Sequence, residues 1–241
     1  MIQPLRYREK LLLLTKPKLD NMLHNWRKIA AIGMPASLTN MLSPLNNAFI
    51  MWLLASYSTT AVAAYGAGTR LEAILLIGMI AISSMLAPFI AQNSAANKAE
   101  RCVEAMGLAI RYSLVSQTLI YLVIALFAQQ IAGLFSDDID VIEHLSLYLY
   151  ILPMSFSMQG IMMVIASSLN GLNKPISSLM LSMSRTDSIF IFASIGAYLL
   201  GEKGIFIGIS CANVLVGLLA LWHFRLLRTQ PEKYSMKSAA Q

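Results

Sequence analysis

Five long windows of this chain contain no Asp, Glu, Lys or Arg: those between Lys28 and Arg70, Glu72 and Lys98, Arg111 and Asp137, Glu143 and Lys174, and Lys203 and Arg225. A membrane-spanning helix needs about 20 consecutive, mostly apolar residues. Each window reaches that length, and the first is long enough for two helices. A soluble helical bundle would instead show polar faces at helical spacing, and these windows lack them. Composition agrees: 57% of the residues are apolar and 12% are charged, against roughly 25% charged in soluble domains. The fold class expected is an all-α membrane protein with six transmembrane helices forming one bundle.

The spans are expected at about 26–54, 60–92, 100–132, 138–169, 176–199 and 205–226. A basic lead-in, 1–25, precedes this bundle (26–227), and a basic tail, 228–241, follows it. Ser136 and the aspartates after it suit the N-cap of the fourth helix, where side-chain oxygens accept free N–H groups. The string NGLNKP, Asn170 to Pro175, reads as that helix's end, with Gly terminating it and Pro preventing read-through. Six spans put both termini on one side of the membrane. The lead-in, Lys98, Arg101, Lys174 and the tail all fall there, opposite Asp137, Asp138, Asp140 and Glu202. The excess of Lys and Arg makes that side cytoplasmic. The formal charge of +6 reflects this topology, and no nucleic-acid partner is expected.

Polar side chains are costly in hydrocarbon, so they face a partner or a water-filled cavity. Asn40, Ser43 and Asn47 stand at i, i+3 and i+7 on the first helix, and Tyr65, Thr69 and Glu72 at i, i+4 and i+7 on the second. Each set shares one helix face. Two readings stand for both: hydrogen bonding or ion pairing between helices, or the lining of a substrate and ion cavity. Glu72 lies far from either end of its helix. A carboxylate there is a candidate proton or cation site, because hydrocarbon disfavours its charged form. Arg185 and Asp187, on the fifth helix, are candidates for ion pairs across helices with Glu72 and Arg70. Arg111 is placed to snorkel to the interface. The two cysteines, Cys102 and Cys211, have no paired spacing and read as buried thiols, and the three histidines as interface residues. The 15 methionines suit either packing or an adaptable cavity wall. The chain has no nucleophile–base motif, no metal-binding signature and no phosphate loop. It is therefore not read as an enzyme, no metal or cofactor is expected, and any transport needs an ion gradient or a partner.

Several strings together resemble a known family. AVAAYGAGTRLE (Ala61 to Glu72) with APFIAQNSAANKAE (Ala87 to Glu100) resembles the second helix of the C-terminal half of multidrug and toxic compound extrusion (MATE) transporters. IGMPASLTNMLSPL (Ile32 to Leu45) is similar to the preceding helix, SSLNGLNKP (Ser167 to Pro175) to the end of the fourth, and KPKLDNMLHNWRKI to the loop joining the halves. The resemblance covers roughly residues 15 to 228. It implies a twelve-helix transporter of two six-helix bundles, of which this chain supplies the C-terminal one. It further implies export of cationic or amphipathic compounds in exchange for H+ or Na+, across a bacterial plasma membrane. Some sodium-linked members have an acidic residue in the first helix of this half, where this chain has Ser43. The expected partners are the lipid bilayer, the exported small molecules and a missing N-terminal half. A flippase of lipid-linked sugars with similar architecture and a non-transporting fragment are the alternative readings.

Overall fold

The computed structural model describes residues 19–229. Most of the lead-in and of the tail, residues 1–18 and 230–241, thus lies outside the described residues. The described chain folds into α-helices in the order α1 (Leu19–Ala55), α2 (Thr59–Leu75), α3 (Ile77–Ala95), α4 (Ala99–Leu126), α5 (Ala128–Gly133), α6 (Ile139–Ile151), α7 (Phe156–Gly171) and α8 (Pro175–Thr229), with a short 3-10 turn at Pro153–Ser155 before α7. Among the described residues, four stretches are long and apolar enough to cross a membrane: Ile77–Ala95, Ala99–Leu126, Ile139–Gly171 and Pro175–Thr229. Of the rest, α2 has only 17 residues, and α1 carries the polar stripe.

The breaks have local causes. α8 bends sharply at Gly201, whose φ of 64° and ψ of −141° are not helical. Glycine alone takes such a conformation without strain, so 175–200 and 202–229 form two arms. The arms come so close that a Cβ on Gly204 would run into the backbone of Gly196, and one on Gly208 into that of Phe192. Small residues are what allow helices to approach this closely in a membrane. The expected second helix is divided between α2 and α3 at Leu76, with neither Pro nor Gly at that position. There the Nε2 of Gln117, on α4, donates to the Leu75 carbonyl at 3.3 Å, the kind of side-chain insertion that kinks a helix. Pro153 divides the expected fourth helix in the same way.

The caps follow the sequence in part. Asp138 caps α6, its carboxylate accepting from the Asp140 N–H at 2.9 Å, and Ser136 Oγ accepts from the Asp138 N–H. At the end of α7 the left-handed residue is Asn173 (φ 57°), not Gly171. Gly171 stays helical, and its missing Cβ serves packing instead, since one there would press on the Ala87 backbone. The Lys174 N–H closes the turn onto the Leu169 carbonyl at 2.8 Å. The end of α3 repeats the device: Asn97 has φ 55°, and the Lys98 N–H reaches the Asn93 carbonyl at 2.8 Å. Both are six-to-one closures of the Schellman type, with Asn in the usual Gly position.

α7 runs through the middle of the bundle, packed against α3, α4 and α8, while α1 lies on α8 and α2 on α6. Two apolar clusters result. One, around Leu54, Leu145, Tyr148, Phe156 and Phe206, fills the end that holds the 56–58 turn and Gly201. The other, around Met79, Met106, Ile161, Ile165 and Leu227, fills the end that holds the turns at 96–98 and 172–174. Many large apolar side chains point outward, among them Leu119, Leu122, Val123 and Leu126 along α4, as a lipid-facing surface requires. Cys102 is buried, but Cys211 is exposed: its place on α8 turns it to the outer face, so the expectation of two buried thiols holds only for Cys102.

Candidate functional site

Polar residues gather at the seam between the two apolar clusters. Each follows from its position on a helix. Glu72 comes just after Leu71, in the first cluster, and before Met79, in the second. Gln159 sits between Phe156 and Ile161, and Asn213 between Ala212 and Val216. Glu72 accepts from the Tyr148 hydroxyl at 3.0 Å and from Gln159 Nε2 at 2.9 Å. Asn213 Nδ2 donates to Gln159 Oε1 at 3.3 Å and to Ser155 Oγ at 2.9 Å. Arg185 Nε donates to Asn213 Oδ1 at 2.9 Å. A continuous chain of hydrogen bonds therefore links the carboxylate to the guanidinium through two amides.

A cavity of about 330 Å3 opens between α1, α2, α7 and α8. Ser43, Asn46, Asn47, Tyr65, Thr69, Glu72, Arg185 and Asn213 line it. A second cavity, of about 500 Å3, adjoins it and shares Ser43, Asn46, Gln159 and Arg185. Asn40 lines only the second. The Tyr65 hydroxyl donates to Asn47 Oδ1 at 3.1 Å and ties α2 to α1. Asn46 Oδ1 is buried and has no hydrogen-bond partner among the described residues. A buried unpaired acceptor is costly, so this atom is available to a bound cation or donor. Met163 lines both cavities, whereas Met79 and Met106 are core packing.

The residues singled out in the sequence separate into two groups. Ser43, Asn47, Tyr65, Thr69, Glu72 and Arg185 converge on one cavity, with Asn40 beside it. Arg70 and Asp187 are exposed, and no ion pair joins them to Glu72, Arg185 or each other. Arg70 stands two residues before Glu72 and Asp187 two after Arg185, an offset at which helical side chains do not face each other. Glu72 and Arg185 share the cavity wall, but the contact between them runs through Gln159 and Asn213 and not through a direct pair. The ion pair among the described residues is elsewhere: His144 Nδ1 lies 2.7 Å from Glu202 Oε1, a partnership the sequence spacing did not disclose. Tyr148, Gln159 and Asn213 were also missed. Their only signal was that each is a polar group inside an apolar run.

A helical membrane bundle with a polar, partly unsatisfied cavity at its centre has the form of a solute-handling membrane protein. Residues 35–195 match the MatE family model, and the chain belongs to that family. It is an integral membrane protein. The chain is 44% identical over 201 residues to the FAD transporter of Shewanella oneidensis, which is 83% of this chain and 44% of that protein. Among solved structures it is similar to a mutant of the Vibrio cholerae MATE transporter VcmN, with a TM-score of 0.86 and 30% identity, over 95% of this chain and 52% of that one. The fold is also that of a MOP superfamily transporter from Pyrococcus furiosus, with a TM-score of 0.82 and 18% identity, over 96% of this chain and 53% of that one. The chain thus spans about half the length of the relatives it matches. Those relatives are transporters, not enzymes.

Proposed function

We propose that this chain is the C-terminal six-helix bundle of a secondary transporter that exports flavin dinucleotide in exchange for H+ or Na+. The observation that carries the substrate is the 44% identity to a FAD transporter over 83% of the chain. The cavity chemistry is compatible with it. Arg185 offers a guanidinium suited to a pyrophosphate, and Tyr65 stands on the same wall. Glu72, held by two donors, is the cation site in this reading, with Asn46 Oδ1 as a further acceptor. A cation bound at Glu72 and solute bound near Arg185 then compete through the Gln159–Asn213 link. Entry of one drives release of the other as the two bundles rock about the shared cavity. Lys98, Arg101, Lys174, Arg225 and Arg228 occupy the end that is cytoplasmic in this proposal.

The test is flavin release by cells that express the protein with its partner half. FAD in the medium should rise above that of control cells, and Arg185→Ala should abolish the rise. Equal FAD with and without the protein would refute the substrate. A second reading, export of cationic amphipathic compounds, is favoured by Glu72 and the free Asn46 acceptor. Ethidium efflux in the same cells, lost on Glu72→Gln and retained on Arg185→Ala, would establish that reading instead.

A further inference from the structure

A third depression, a groove of about 650 Å3, lies between the start of α4 and the end of α8. None of its lining residues lines the central cavity. Its charged lining is Glu100, Glu104, Arg111 and Arg228, with Gly107 and Phe224 at its floor. Glu100, Glu104, Gly107 and Arg111 stand at i, i+4, i+7 and i+11, so one face of α4 presents all of them. The groove therefore holds two carboxylates and two guanidinium groups. No side chain of the four makes a hydrogen bond or an ion pair with another described residue. Four unpaired charges of balanced sign, beside a lipid-facing helix, are matched by a ligand that itself carries both signs.

The depth order narrows the ligand. Glu100 opens α4 at the bundle end, and Arg111 lies 11 residues further in, about 16 Å at 1.5 Å per residue. Helical side chains lean toward the N-terminus of their helix. Arg111 therefore leans back toward Glu104. Arg228, on an arm that runs the opposite way, leans inward toward Phe224. Both guanidinium groups are thus directed into the groove, below the outermost carboxylate. A phospholipid in this leaflet has its headgroup amine outermost, its phosphate beneath and its acyl chains deepest. We propose that this groove binds the headgroup of a phosphatidylethanolamine, with the phosphate on Arg111 and Arg228 and the primary ammonium on Glu100 and Glu104. The acyl chains then run deeper along α4, over the exposed Val115, Leu119 and Leu122. Phosphatidylcholine lacks N–H donors for the carboxylates, and phosphatidylglycerol has no cation to meet them. Basic pockets between helices at this depth commonly hold anionic headgroups. Here the paired acids change the selectivity.

The test is native mass spectrometry of the purified full chain in detergent with equimolar phosphatidylethanolamine, phosphatidylcholine and phosphatidylglycerol. The wild type should retain phosphatidylethanolamine over the other two. The double variant Glu100→Gln, Glu104→Gln should lower that preference about thirtyfold, the factor for roughly 1 kcal/mol for each of two charges at the membrane surface, and should favour phosphatidylglycerol. Arg228→Gln, in the exposed last turn of α8, should lower retention of phosphatidylethanolamine and phosphatidylglycerol alike. Equal retention of phosphatidylethanolamine and phosphatidylcholine by the wild type would overturn the proposal. So would Arg228→Gln that retains both lipids as the wild type does.

Discussion

Asn213 is the residue through which Arg185 reaches the rest of the polar seam, and its removal has a magnitude that follows from its bonds. It is 1% exposed. It accepts from Arg185 at 2.9 Å and donates to Ser155 at 2.9 Å and to Gln159 at 3.3 Å. Hydrogen bonds between membrane helices average about 0.6 kcal/mol and reach about 1.7. Placing the charged bond at the upper value and the other two at the mean gives a loss of about 3 kcal/mol for Asn213→Ala. Ser155 is only partly deprived, because its hydroxyl also donates to the Leu152 carbonyl at 2.8 Å. Asn213→Asp separates the contributions. It keeps an acceptor for Arg185, now charge-assisted, and loses only the two amide donations, so it should stay within about 1 kcal/mol of the wild type. Reversible unfolding in mixed micelles, followed by far-ultraviolet circular dichroism, measures both. A loss under about 0.5 kcal/mol for Asn213→Ala, or equal losses for the two variants, would refute the role given to the Arg185 bond.

Two further outcomes follow from the packing. Gly204→Ala places a methyl group against the Gly196 backbone and should cost about 1–3 kcal/mol, as overpacking does. Gly66→Ala, with open space around it, should leave the same unfolding curve unchanged or slightly improved. Glu202 sits in the turn at Gly201, between the two arms of α8 and outside the spans. Burial pushes its carboxyl up, and the neighbouring His144 opposes that shift. A raised carboxyl favours the folded state at low pH, and that contribution is lost as pH rises through the folded value. Glu202→Gln should therefore melt higher than the wild type at neutral pH and match it below pH 4.5, the ordinary value of this group. A variant that melts lower at neutral pH would show that the His144 contact outweighs the burial.

Much of this architecture was legible from local rules. Charge-free windows disclosed the helices, and the Asp138 cap and the NGLNKP stop disclosed two of their ends. Helical spacing also anticipated that Asn47, Tyr65, Thr69 and Glu72 would line one cavity, because residues at i, i+4 and i+7 share a face whatever surrounds them. The completed site was not legible. Gln159 and Asn213 lie 87 and 141 residues from Glu72 in the chain, and an isolated amide in an apolar run has no spacing partner on its own helix. The break at Leu76 was hidden for a similar reason, since its partner, Gln117, comes from α4. Arg70 and Asp187 drew attention by charge alone, although a two-residue offset had already turned them from the face that mattered.

Glu72 carries the central claim, and Glu72→Gln tests it most directly. The substitution keeps the shape of the side chain. Its carbonyl oxygen can still accept from Gln159 Nε2, and its amide can donate to a reoriented Tyr148 hydroxyl, so folding is preserved while the charge is lost. Ion-gradient-driven FAD transport by the protein with its partner half, reconstituted in liposomes, is the measurement. The expected result is loss of gradient-driven transport with an unfolding curve like that of the wild type. Wild-type transport by a well-folded Glu72→Gln protein, with undiminished dependence on the gradient, would contradict the assignment of the cation site to this cavity.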